Sequence, residues 1–177
     1  MNLPLLIGYG NTLRRDDGAG VWLVNEFSRC YPGRAHCLSV HQLGPELAEA
    51  VVRAPCVVFA DASVAVSDLA VSRIEPSDSS SSHRSTHHTT PQDLLHSCLD
   101  LYGRIPSDCY VVRIPVRSLS WGETITDEVK AACRDAVEAI AELLDNLAFR
   151  GTKAKQDGRE GGMDNVRRET ERRDIVP

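Results

Sequence analysis

The run Cys56-Val57-Val58-Phe59-Ala60 is apolar throughout, and it constrains the fold more than any other feature of the chain. A strand with one wet face alternates apolar and polar residues. A run without alternation marks a strand covered on both faces, the habit of parallel sheets. Leu3 to Tyr9 is a second short apolar run that stops at glycine. Ala35 to His41 and Cys109 to Ile114 are further strand candidates, with Leu69 to Ile74 as an edge strand. Helical patterns fall between them. Gly18 to Cys30 carries Val21, Leu23, Val24 and Phe27 on one side, and Pro45 opens a helix that runs to about Arg53. Thr90-Pro91-Gln92-Asp93 predicts a capped helix start, with the helix continuing to Gly103. The last helix starts near Thr126, with Asp127 and Glu128 in its first turn and an apolar stripe of Val129, Cys133, Val137, Ile140, Leu144 and Leu147. Strands alternating with helices predict an α/β fold of three layers, a mostly parallel twisted sheet with helices on both faces.

The chain has 177 residues, of which 42% are hydrophobic, enough for one real core. Residues 1–149 are expected to form that domain. Beyond Arg150 the apolar residues give way to mixed charge, and residues 150–177 are expected to be a charged, disordered tail. Ser77 to Ser82 is a small polar stretch, expected to be a mobile loop. The formal net charge of -5 argues against a nucleic-acid binder. No run of ~20 apolar residues is present to span a membrane. The N-terminus lacks a basic region before its apolar run, so it is read as a strand rather than a signal peptide, and a cytoplasmic location is expected. The six cysteines are scattered without a Cys-x-x-Cys pair, which predicts buried free thiols rather than disulfides or a cysteine-ligated zinc.

The turn after the first strand reads Gly8-Tyr9-Gly10-Asn11-Thr12-Leu13-Arg14-Arg15-Asp16-Asp17-Gly18-Ala19-Gly20. A dinucleotide-binding turn needs a third glycine where Leu13 stands. A pyrophosphate at the following helix would also face Asp16 and Asp17 and be repelled. Carboxylates held by a tight glycine turn suit a cation better. One of the two acids can simply favour the helix dipole; for both, a site is the better reading. Asp61, at the end of the most apolar strand, can cap the next turn or lie in the crevice at the carboxyl ends of the strands, where such sheets bind ligands. His87-His88 precedes the capped helix. One imidazole with two carboxylates makes an incomplete shell for a divalent metal, with positions left for water or a partner's ligands. His41 and His96 are read as structural.

These residues resemble a known family. Gly8-x-Gly10-Asn11-x-Leu13-x-x-Asp16-Asp17-Gly18-x-Gly20 is similar to the signature of the [NiFe]-hydrogenase maturation endopeptidases. The segments His41-Gln42-Leu43-x-Pro45-Glu46-Leu47, Phe59-Ala60-Asp61-Ala62, Ser85-Thr86-His87-His88, Leu101-Tyr102-Gly103 and Trp121-Gly122-Glu123 agree in order and spacing. The resemblance covers about residues 3 to 147. It implies a twisted sheet between helices, and an enzyme that removes a C-terminal extension from the precursor of the hydrogenase large subunit once nickel has been inserted. It also implies that an acid of the glycine loop, an Asp after the third strand and a His contact the metal. Matched one by one, these fall on Asp17, Asp61 and His87, with His88 the alternative to His87. Nickel, carried by the precursor, is the expected metal; the precursor is the expected partner, with neither nucleic acid nor a membrane, and the chain is expected to be a monomer. No Gly-x-Ser-x-Gly elbow or cysteine nucleophile motif is present, so a metal-dependent endopeptidase of the aspartic or metallo type is implied rather than a serine or cysteine peptidase. Asp16 is left as a general base or a helix cap. The competing readings are a non-catalytic nickel-sensing module or chaperone for the same precursor, and a nucleotide-binding α/β enzyme.

Overall fold

A computed structural model describes residues 3–77 and 89–171, with side chains described as far as Arg150. Met1–Ala139 form one compact unit and Ile140–Pro177 a second. In the first, β1 (Leu5–Tyr9), β2 (His36–Val40), β3 (Cys56–Ser63), β4 (Ala70–Arg73) and β5 (Asp108–Pro115) form one sheet in the order β2-β1-β3-β5-β4. All neighbours pair in parallel except β4, which runs antiparallel to β5 at the edge. The helices are α1 (Ala19–Cys30), α2 (Ala48–Arg53), α3 (Pro91–Tyr102) and α4 (Asp127–Glu171). Short 3-10 turns at Arg15–Gly18 and Pro45–Leu47 lead into α1 and α2. This is the α/β architecture that the apolar runs predict.

Alternation along the central strands sends side chains to two cores. Leu5, Ile7, Val57, Phe59, Cys109 and Val111 face α2 and α3, where Val51, Leu94, Leu95 and Cys98 complete a buried cluster. Leu6, Val58, Ala60, Val112 and Ile114 are buried on the opposite side. There α1 crosses β1 and β3, burying Leu23, Val24 and Phe27. The Cys133 thiol of α4 donates to the Ala19 carbonyl of α1 at 3.6 Å, so the start of α4 belongs to the same layer. Val129, Cys133 and Val137 of the predicted stripe are buried.

Boundaries differ from expectation where pairing outruns hydrophobicity. β3 continues past Ala60 to Ser63 because its register with β5 holds as far as Ser63 opposite Pro115. Asp61 is therefore a paired strand residue opposite Arg113, not a residue after the strand. Helix α1 starts one residue later than predicted, and Asp16 and Asp17 lie in the 3-10 turn ahead of it. The predicted start of α3 holds in detail: Thr90 and Asp93 form a reciprocal capping box. α4 starts at Asp127, next to the predicted start near Thr126. Most of the expected serine loop, from Asp78, lies outside the described residues.

The layer carrying α1 approaches the sheet more closely than a side chain would allow. A Cβ on Gly20 would collide with the carbonyl oxygens of Ala60 and Tyr9, and one on Gly8 with the Gly20 carbonyl. Backbone is the obstacle in each case, so no rotamer change relieves it. Gly20→Ala is expected to destabilise the protein by about 3 kcal/mol in urea denaturation, because α1 must move off β1 and β3. An unchanged midpoint would contradict this contact.

Candidate functional site

The carboxyl ends of β1, β2, β3 and β5 open into a cavity of about 620 Å3, which is the crevice position typical of open parallel sheets. Asp17 and Asp61, predicted from separate segments, both line it. Tyr9, Asp61 and Arg113 share the sheet face that carries α2 and α3, and the first turn of α3 supplies Pro91 and Gln92 to the wall. His41, expected to be structural, is exposed just past β2 and lines the same cavity. His96 stays within α3, its Nε2 3.5 Å from the Asp100 carboxylate. His87 and His88 lie outside the described residues; the described chain resumes at Thr89, a cavity-lining residue two positions after His87. Among the described residues no group of three or more His, Cys, Asp or Glu side chains is arranged to hold a metal.

The glycine loop presents Asp17 through tight backbone geometry. Gly10 has φ +139°, and a Cβ there would collide with the Asp17 carbonyl. The Asn11 N–H donates to Asp17 Oδ2 at 3.1 Å and aims the carboxylate. Asn11 Oδ1 in turn accepts from the Leu13 N–H at 2.9 Å, closing the loop on itself. Arg15 holds φ +46°, a left-handed conformation that costs a non-glycine residue about 1 kcal/mol. Its N–H donates to the Gly122 carbonyl at 2.6 Å, and the Gly122 N–H donates to the Leu13 carbonyl at 3.0 Å. Arg14 Nη2 reaches the Leu119 carbonyl at 3.1 Å. The segment before α4 thus braces the loop from outside, a support that lies about a hundred residues away in sequence.

The two neighbouring acids have separate fates. Asp17 is half-buried and borders the cavity. Asp16 is 5% exposed, the one buried charged side chain among the described residues. Its Oδ1 accepts from the Thr126 N–H at 2.8 Å, and the Thr126 hydroxyl lies 3.1 and 3.2 Å from its two oxygens. Asp16 is thus committed to the residue that starts α4, and not to the start of the helix that follows it in sequence.

Burial pushes the Asp61 carboxyl up to about 6. A hydrogen bond from the Tyr9 hydroxyl opposes this, the negative charge of Asp17 adds to it, and the Ala62 backbone and the Arg113 guanidinium hold it down. The Tyr9 hydroxyl is itself driven far above its ordinary range, by burial first and then by the Asp61 charge beside it. Tyr9 and Arg113 were not singled out in the sequence. Only the pairing of β1 and β5 with β3 brings them to Asp61. The buried thiols Cys56, Cys109 and Cys133 are pushed up to about 12 and Cys98 to about 11, chiefly by burial. They stay protonated near neutral pH and are poor nucleophiles. No cysteine is disulfide-bonded; Cys30 is exposed and Cys37 half-buried.

Raising an acid's pKa means that the folded state keeps a proton which the unfolded chain releases. For Asp61 this window runs from its ordinary value, 3.8, to about 6. Its contribution to stability therefore falls as pH rises through that window and is level above it. Asp61→Asn removes this dependence. The stability of Asp61→Asn relative to the unsubstituted protein should rise by roughly 2 kcal/mol between pH 4 and pH 7 in denaturant titrations. A difference that stays flat with pH would show that the carboxyl is not desolvated.

No protein-family model matches the sequence, and no curated protein matches it. Solved structures do. The hydrogenase maturating endopeptidase HybD from E. coli is 23% identical, with a TM-score of 0.63 over 82% of this chain and 93% of that one. The [NiFe] hydrogenase maturation protease HycI from Thermococcus kodakarensis KOD1 is 20% identical, with a TM-score of 0.64 over 81% of this chain and 93% of that one. The hydrogenase 2 maturation peptidase of a Thaumarchaeota archaeon is 21% identical, with a TM-score of 0.59 over 81% and 99%. At these identities the likeness is one of architecture: the chain has the fold of the hydrogenase maturation endopeptidases.

Proposed function

We propose that this protein is an endopeptidase that removes the C-terminal extension of a [NiFe]-hydrogenase large-subunit precursor after nickel insertion. One observation carries the proposal. Asp17 and Asp61, the two acids singled out by the family-like motifs, come from the glycine loop and from β3, and they meet at one cavity in a fold shared with hydrogenase maturation endopeptidases. His87 completes the proposed metal-contacting set, and its position two residues before cavity-lining Thr89 agrees with that role.

In this reading nickel arrives as part of the substrate. Two carboxylates and an imidazole suit a divalent ion of intermediate softness, and the remaining positions stay with the precursor's own ligands. The donor set fits the cavity's electrostatics. Asp61 is desolvated and lies beside the negative charge of Asp17, and a cation between them relieves both penalties. Asp17 is pre-aimed by the Asn11 N–H, so little reorganisation is needed on contact. Held by Asp17, Asp61 and His87, the precursor's nickel would place the scissile bond in the cavity and would supply polarisation of its carbonyl or activation of a water. Among the described residues no serine or cysteine lines the cavity; Tyr9, Thr89 and Thr90 bring hydroxyls to its wall, and that of Thr90 is engaged with Asp93 at 2.6 Å. That lining supports hydrolysis of the aspartic or metallo type. The same proposal keeps residues 1–149 as the processing domain and leaves 150–177 outside it. It also has the protein working as a cytoplasmic monomer. Among the described residues no helix is long and apolar enough to cross a membrane.

Asp17→Ala and Asp61→Ala are each expected to slow shortening of a nickel-loaded precursor by about a hundredfold or more, followed by gel mobility, with the fold intact by circular dichroism. A folded Asp17→Ala protein that processes the precursor at the normal rate would sink the assignment. A protein that binds the precursor tightly without ever shortening it would instead be a nickel-sensing chaperone.

A further inference from the structure

We propose that Asp16 is a positioning residue which, by holding Thr126 at the start of α4, sets where the neighbouring Asp17 carboxylate stands in the cavity. In a 3-10 turn successive side chains point about 120° apart, so adjacent acids cannot share one direction. Asp17 borders the cavity, whereas Asp16 borders a separate hollow together with Thr126. Both Asp16 oxygens lie within reach of Thr126, and the Thr126 hydroxyl also accepts from the Val129 N–H at 3.4 Å. One hydroxyl thus joins the Asp16 carboxylate to the first turn of α4.

The bond closes a brace otherwise made of two backbone bonds and one from the Arg14 guanidinium. Arg15 donates to Gly122, Gly122 to Leu13, and Arg14 to Leu119, so the segment 119–126 grips the three residues before Asp16 as well as Asp16 itself. Asp17 is covalently next to the gripped residue, and its carboxylate accepts from the Asn11 N–H. Release of Asp16 frees the 3-10 turn to rotate, and rotation carries Asp17 away from Asn11. A buried carboxylate with both oxygens engaged is badly placed to take a proton from a water in another hollow, so the general-base alternative for Asp16 loses to the brace.

This inference rests on the processing role proposed above for its rate predictions, but not for its structural one. The Asn11 amide resonance in 1H–15N spectra reports directly on the Asp17 carboxylate. In Asp16→Ala and in Thr126→Val that resonance is expected to move toward its position in Asp17→Ala, while resonances of β5 stay in place. Cleavage of nickel-loaded precursor should fall about a hundredfold in Asp16→Ala, the scale of a misplaced reacting group. It should fall about tenfold in Thr126→Val, which keeps the backbone donor and loses one hydrogen bond to a carboxylate. Thr126→Ser restores the hydroxyl and should keep the Asn11 signal and a rate within about threefold of the unsubstituted protein. An unmoved Asn11 resonance in folded Asp16→Ala overturns the proposal whatever the rate, and shifts spread through β5 overturn it in favour of a general loss of packing. If Asp16→Ala does not fold, Thr126→Val decides by the same signals. If the unsubstituted protein cleaves nothing, the processing role falls, and the Asn11 signal still decides the brace.

Discussion

β3 is bonded to a neighbour on each edge and covered by helices on each face, and the site follows from that confinement. A strand so enclosed has no freedom to slide, since a one-residue slip would exchange its two faces. Its parallel partners β1 and β5 are thereby fixed in register, and their carboxyl ends come out together. Asp61 can remain a carboxylate in such a strand only because it lies where the strand reaches the cavity. There the Tyr9 hydroxyl donates to it and Arg113 stands opposite. The close seating of Gly20 over β1 and β3 sets the second half of the site. It brings α1, and the turn before it, down onto the strand ends, and so carries Asp17 to the same opening.

Much of this is legible in the sequence because burial and local caps leave local marks. The unbroken apolar run 56–60 announces an interior strand, and Thr90 with Asp93 announces a helix start, each within a few residues. The edge strand at 69–74 is legible too, trimmed to Ala70–Arg73 by its short antiparallel pairing with β5. The end of β3 is not legible, since Ala62 and Ser63 are kept in the strand by hydrogen bonds to β5 rather than by apolar character. Hydrophobicity records which residues are covered. It does not record which residues are paired.

The two acids of the glycine loop show the same limit at the site. Their shared position before a helix marks them as special without distinguishing them. What separates them is Thr126, 110 residues away, which takes Asp16 and leaves Asp17 to the cavity. The family-like motif pointed to Asp17 for metal contact, and the geometry explains why its neighbour is otherwise engaged. Tyr9 carries no signal in sequence, because as the middle residue of a glycine turn it looks like filler. Its link to Asp61 exists only once β1 and β3 are side by side. His41 reads as structural for a related reason: a histidine at the end of a strand looks ordinary until the sheet is assembled and its edge becomes a cavity wall.

Nickel gating is the central claim, and mass spectrometry of a hydrogenase large-subunit precursor tests it most directly. The precursor is incubated with the protein in nickel-loaded and nickel-free forms. Loss of a C-terminal peptide from the loaded form alone is the predicted result, because in the proposed reading the substrate's nickel is what Asp17 and Asp61 would contact. Equal shortening of both forms would contradict the account, since the cavity would then recognise the peptide without the proposed cation.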